Sequence, residues 1–290
     1  MTRQLAIVLG GGGARGALQV GALRALYEYG CRPDLLIGTS AGAINAAYLA
    51  LHGFSPLGLE ALADAWDRAG QVDLLPSNYI RLALRDMLRP SSANPASRIR
   101  EFFIANGIVP SLRFADLQPP QLTIVSSDLN TGKPVLHGQS PEDSVLDALL
   151  LSTALPPWVM PVKTQGHYLM DGAVVSSLPI QPALQMGATD IVALDLTDAR
   201  DPVGHTDGFG LFINRLTYAV EQRQVDLELE VSKARGVPVR YLDLTAVRPI
   251  PLWDFRHAEE LIARGYQFTR AALEPSDGAH SAATSRLPDG

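Results

Sequence analysis

Apolar residues are arranged along this chain in two rhythms. The first is the short unbroken run. Leu5-Ala6-Ile7-Val8-Leu9, Leu35-Leu36-Ile37 and Ile191-Val192-Ala193-Leu194 each read as a strand covered on both faces. Gln121 to Asp128 resumes that pattern, with a turn at Asn130-Thr131-Gly132, a return strand from Lys133 to His137 and a further strand from Val239 to Leu244. The second rhythm is the three-and-four spacing of amphipathic helices. It predicts helices from the glycines at 10–16 to about Tyr29, where Gly30 is the stop, and across the Ala-rich segment ending near Leu51. Between Leu51 and about Pro120 it recurs less regularly: Leu59, Leu62, Ala63 and Trp66; then Ile80, Leu84, Met87 and Leu88 beside Arg81, Arg85 and Arg89; then Ile99, Phe102 and Phe103. A helix is expected from Pro141 to Leu151 with Ser140 as N-cap, a long one from about Leu211 to Arg235, and a last one from about Arg256 to Leu273. Strands alternating with helices place the chain in the α/β class.

Composition narrows this picture. The 290 residues suit one large α/β domain, and neither an internal repeat nor a shift in composition marks a second. The expected domain is 1–274, with a cap-like helical insertion at about 54–120. From Pro275 onward Ser, Ala, Gly and Asp dominate, so 275–290 is expected to be a disordered tail. A hydrophobic content of 47% with 19% charged residues is that of a soluble globular protein. The net charge of -6 argues against nucleic acid as a partner. One cysteine, Cys31, excludes an internal disulfide and points to a reducing cytoplasm. No apolar run approaches about 18 residues, so any membrane contact is expected to be peripheral.

Candidate chemistry centres on Gly38-Thr39-Ser40-Ala41-Gly42, between an apolar run and an Ala-rich helix. Gly-x-Ser-x-Gly suits a strained strand–turn–helix, where side chains two residues either side of the serine would collide with the neighbouring strand and helix. The plainer reading is a chance match in a glycine-rich chain. A second glycine turn, Gly10 to Gly16, also joins a strand to a helix and exposes backbone N–H groups to negative charge. A dinucleotide site using Gly11-x-Gly13-x-x-Gly16 wants an acid at the far end of the next strand, which Gly38-Thr39-Ser40 occupies instead. A Walker loop lacks its Gly-Lys-Ser/Thr. An oxyanion hole around Gly12 and Gly13 fits best, because adjacent parallel strands bring both turns to one sheet edge.

A serine nucleophile needs a base. Of the six histidines, His280 lies in the tail and His52 ends the serine helix. His167 stands four residues before Asp171, about 13 Å away on an extended segment. A Ser-His-Asp triad is therefore the weaker reading and a Ser–Asp pair the simpler one. Asp171, at the end of an apolar run before Gly172, fits that pair, although capping its turn is the commoner role for Asp-Gly.

Gly11-Gly12-Gly13-Ala14-Arg15-Gly16, Gly38-Thr39-Ser40-Ala41-Gly42 and Asp171-Gly172-Ala173, in that order, resemble the signature blocks of patatin-like phospholipases. Ser152 to Pro157, with Ser-x-Ala-x-Pro, is similar to the block ahead of the aspartate. The resemblance covers roughly Leu5 to Pro182. It implies a three-layer α/β/α fold with a mostly parallel central sheet, and a serine acyl hydrolase acting on lipid esters without metal or other cofactor. It further implies Ser40 as nucleophile, Asp171 as base, the glycine turn as oxyanion hole and Arg15 as the basic residue beside it. Ser176-Ser177-Leu178-Pro179 departs from the Asn-x-Pro of many members and is expected to alter how the Asp171 loop is supported. A low-turnover acyl-binding protein and a nucleotide-binding protein are the competing readings. The basic amphipathic stretch Ile80 to Arg89 is expected to rest on anionic membrane surfaces.

Overall fold

The computed structural model describes residues 3–72, 74–75, 95–196 and 209–274. Strands β1 (Leu5–Leu9), β2 (Leu35–Thr39), β3 (Gln121–Asp128), β4 (Lys133–His137), β5 (Val162–Thr164), β6 (His167–Asp171), β7 (Asp190–Asp195) and β8 (Val239–Asp243) form one sheet. The helices are α1 (Ala17–Glu28), α2 (Ala41–His52), α3 (Pro56–Gly70), α4 (Pro95–Ala105), α5 (Val145–Ser152), α6 (Ile180–Gln185), α7 (Phe209–Ala234) and α8 (Ala258–Leu273). The stretch Ile80 to Arg89, the tail from Pro275 and residues 197–208 lie outside the described residues.

Strands β8, β7, β1, β2 and β3 run parallel in that spatial order, and β4, β5 and β6 pair antiparallel. Side-chain alternation divides the core between the two faces of the sheet. Ile7, Leu9 and Leu36 pack with residues of α1, α2, α3, α5 and α8, while Ala6, Val8, Leu35 and Ile37 pack with α6 and the Val225 side of α7. The result is the three-layer α/β/α arrangement expected of alternating strands and helices.

One detail of register positions the site. Val125 of β3 pairs with Thr39 of β2 on one edge and with Leu136 of β4 on the other. The next residue, Ser126, pairs with Asp171 of β6 and with Val135 of β4. Strand β6 therefore continues along the β3 edge where β2 stops. The residue after Thr39 and the last residue of β6 meet at the junction.

Most predicted strands agree with the observed ones to within a residue, but β2 runs two residues further, to Thr39, and the short strand β5 is not among those predicted. The helix expected from Pro141 with Ser140 as N-cap instead spans Val145–Ser152, with the Ser144 hydroxyl accepting from the Asp147 amide. The residues before it are taken up in turns: Asp143 N–H donates to the Ser140 carbonyl, and the Asp143 carboxylate accepts from the Gly138 amide. The carbonyls of Pro141 and Asp143 accept from Ala115 and Phe114. These tertiary bonds outcompete one extra helical turn.

Candidate active site

Ser40 connects β2 to α2 with φ 54 and ψ -121, a backbone conformation rare for any residue with a side chain. Two close approaches permit it. A Cβ on Gly38 would overlap the Gly42 carbonyl, and one on Gly42 would overlap the Leu9 carbonyl of β1. The Ser40 amide donates to Ser152 Oγ at 3.0 Å, and that hydroxyl donates to the Val125 carbonyl at 2.6 Å. Ser152, fully buried at the end of α5, thus ties the turn to β3. The sequence placed it in a motif block without revealing this task.

Ser40 Oγ donates to Asp171 Oδ2 at 2.7 Å. The other carboxylate oxygen, Oδ1, accepts from the Ala173 amide at 2.9 Å, so the aspartate caps its own turn as well as meeting the serine. Ser127 Oγ donates to the carbonyls of Asp171 and Gly172, fixing the strand end from behind. Asp171 is 1% exposed. Burial pushes its pKa up to about 6 against the pull of the Ala173 and Ser40 hydrogen bonds, and the negative charge of Glu221 adds to the rise.

The glycine turn lies beside this pair. A Cβ on Gly11 would stand 3.3 Å from Ser40 Cβ and 3.2 Å from Ala173 Cβ. The amides of Gly10, Gly11 and Ala14 donate to the carbonyls of Leu194, Ser177 and Leu252. Among the described residues, the amides of Gly12 and Gly13 have no protein acceptor. Arg15, buried, holds the Gly12 carbonyl with its amide at 3.2 Å and its Nε at 3.3 Å. Because a trans peptide directs its N–H opposite its C=O, Gly13 N–H is turned away from Arg15. Two available amides suit a single oxygen better than a pyrophosphate. Gly16 abuts Trp66 and Ala41, and its carbonyl accepts from Asn45 Nδ2. Thr39 Oγ1 donates to the Ser176 carbonyl.

An apolar cavity of about 100 Å³ opens from the pair, with Gly13, Ser40, Ala41 and Asp171 at its head. Much of its wall comes from single faces of three helices, Ile44 and Tyr48 of α2, Leu62, Ala65, Trp66 and Ala69 of α3, and Ile99, Phe102 and Phe103 of α4, with Leu149, Leu155, Leu252 and Phe255 among the rest. Helices α3 and α4 also belong to the main core cluster, so this stretch is both core and wall. Trp66 Nε1 donates to Asn45 Oδ1 at 2.8 Å, and Asn45 Nδ2 donates to Gln19 Oε1, a buried chain invisible in the sequence.

The described histidines are engaged away from this pair. His167 Nδ1 lies 2.8 Å from Asp128 Oδ2, His137 Nε2 lies 2.8 Å from Ser126 Oγ, and His52 packs against Tyr48. Among the described residues no group of three or more His, Cys, Asp or Glu side chains is placed to hold a metal ion, and no helix is long and apolar enough to cross a membrane.

The family model described as Patatin-like phospholipase matches residues 7–184, which include Ser40, Asp171 and both glycine turns. The chain belongs to that family. Rat patatin-like phospholipase domain-containing protein 7 is 32% identical over 193 residues, covering 66% of this chain and 13% of that protein. Mouse patatin-like phospholipase domain-containing protein 6 is 28% identical over 288 residues, covering 93% of this chain and 20% of that protein. The chain therefore spans about a fifth or less of these relatives. Among solved structures, the heterodimeric ExoU–SpcU complex of Pseudomonas aeruginosa aligns at TM-score 0.46 and 21% identity, over 93% of this chain and 51% of that one.

In this patatin-like chain Ser176 to Pro179, just beyond the Asp171 turn, is held from outside by α7. Gln224 accepts from the Ser177 amide at 3.1 Å and donates to the Val174 carbonyl at 2.8 Å. Glu228 accepts from Ser176 Oγ at 2.8 Å and from the Gln181 amide. Burial raises the Glu228 pKa. Glu228→Ala strands a buried hydroxyl and an amide, each worth about 1–3 kcal/mol. It should lower the melting temperature by several degrees. Glu228→Gln can accept from the amide and donate to the hydroxyl without a buried charge, so it should match or exceed the wild-type melting temperature at pH 7.5. Equal losses in the two variants would mean that the bonds are unimportant.

Proposed function

We propose that this chain is a serine acyl hydrolase cleaving lipid carboxyl esters, of phospholipase A, lysophospholipase or esterase type, through a Ser40–Asp171 dyad and an acyl-enzyme. The observation that carries this reading is the 2.7 Å hydrogen bond from a strained serine to a buried carboxylate at the head of an apolar cavity. Asp171 takes the Ser40 proton as Oγ attacks the ester carbonyl carbon. The amides of Gly12 and Gly13 receive the developing negative oxygen, and the leaving alcohol departs with the proton from Asp171. Water then attacks the acyl carbon, with Asp171 again the proton acceptor, and the acid leaves as Asp171 returns the proton to Ser40 Oγ. A carboxyl group with a pKa near 6 is largely ionised at pH 7.5, yet it holds a proton about a hundredfold more tightly than an ordinary aspartate. That shift brings it closer to the proton affinity a general base needs.

The test is covalent labelling. A fluorophosphonate probe should modify Ser40, located by peptide mass spectrometry, and the same protein should hydrolyse esters in a mixed lipid extract. Labelling at another serine, or turnover that survives Ser40→Ala, would overturn the assignment.

A further inference from the structure

We propose that the cavity measures its acyl chain, and that esters of about eight to ten acyl carbons are the preferred class. The inference rests on the reading that Ser40 is acylated. Ser40, Ile44 and Tyr48 lie at successive turns on one face of α2 and all line the cavity. Eight residues at the helical rise place Tyr48 about 12 Å along the axis from Ser40, and its side chain leans back toward Ser40. An extended alkyl chain advances about 1.25 Å per bond, given its bond length of about 1.5 Å and near-tetrahedral angles. The span therefore holds about ten carbons at most.

The Tyr48 part of the lining carries a polar knot. Arg68 of α3 donates to Asn106 Oδ1 from Nε at 2.9 Å and from Nη2 at 2.8 Å, and Nη2 also approaches Tyr48 Oη at 3.3 Å. Asn106 Nδ2 donates to the Phe102 carbonyl at 2.7 Å. Tyr48 and Asn106 are buried, and both line the cavity. Up to this point each added methylene leaves water for an apolar wall, which strengthens binding about three- to fourfold. Past it, a chain must separate a guanidinium from its amide and phenol acceptors.

The experiment compares kcat/KM for p-nitrophenyl esters of four to sixteen acyl carbons. It adds labelling rates for alkyl fluorophosphonates of the same lengths, which need no turnover. Both should rise to eight or ten carbons and fall by about tenfold or more at sixteen. Tyr48→Ala should raise the sixteen-to-eight ratio about tenfold, the usual worth of a changed pocket end. Ile44→Phe, halfway along the same face, should move the optimum to four or six carbons. These two variants act in opposite directions, so misfolding of one does not shield the idea. A flat length profile with Ser40-dependent labelling overturns the ruler and leaves the hydrolase reading standing, as does an optimum unmoved in both variants. Absence of any Ser40-dependent labelling overturns both.

Discussion

Ser40→Ala should abolish probe labelling and ester hydrolysis, and Asp171→Asn should lower turnover by about 10² to 10⁴, the usual worth of general base catalysis. Asparagine keeps the size of the side chain, and its oxygen can still accept from Ser40 or Ala173, but it takes no proton. The effect should therefore be on kcat, with the protein folded. The discriminating half concerns the histidines. Single substitutions of His52, His137, His167, His205 and His257 should each leave most activity, because the described ones bond to Ser126, Asp128 or Asp254, or pack against the Tyr48 ring. A conventional triad predicts one of them to be nearly as damaging as Ser40→Ala. A folded but inactive histidine variant would reduce Asp171 to an orienting acid.

Acid should silence the protein through the same carboxyl group. With its pKa near 6, kcat/KM should fall along a single limb below pH 6 and be about a hundredfold down at pH 4. The same shift has a cost in stability. Asp171 binds its proton more tightly folded than unfolded, where a value near 3.8 applies. Its contribution is thus fully present below pH 3.8 and is lost as pH rises through 6, by about 3 kcal/mol for the two-unit shift. Asp171→Asn escapes that loss. It should melt several degrees above wild type at pH 8 and close to wild type at pH 4. Thermal melts at the two pH values check this, and a variant less stable at pH 8 would show that burial does not strain the carboxylate.

Much of this arrangement was legible because it is local. The unbroken runs at Leu5–Leu9 and Leu35–Ile37, the glycines around Ser40 and the Asp171 turn carry their geometry in adjacent residues. Separation in sequence hid the rest. Nothing near Ser152 announces that its hydroxyl will hold the Ser40 amide, 112 positions away. Nothing in α7 marks Glu228 as the support of Ser176, 52 positions away. The start of α5 was misjudged for the same reason, since partners at Ala115, Phe114 and Gly138 decide it. The Arg68–Asn106–Tyr48 knot joins three segments whose individual patterns read only as amphipathic helix.

Strands β2 and β6 meet end to end along β3, and this has a consequence for control. Ser40 and Asp171 are fixed to one sheet edge and bonded to each other. No ordering event has to assemble them, so labelling should begin without a lag. Restraint on the proposed hydrolase cannot come from keeping these two residues apart. It must come from rationing entry: which esters reach the head of the cavity, how often, and how much of the protein a cell chooses to make.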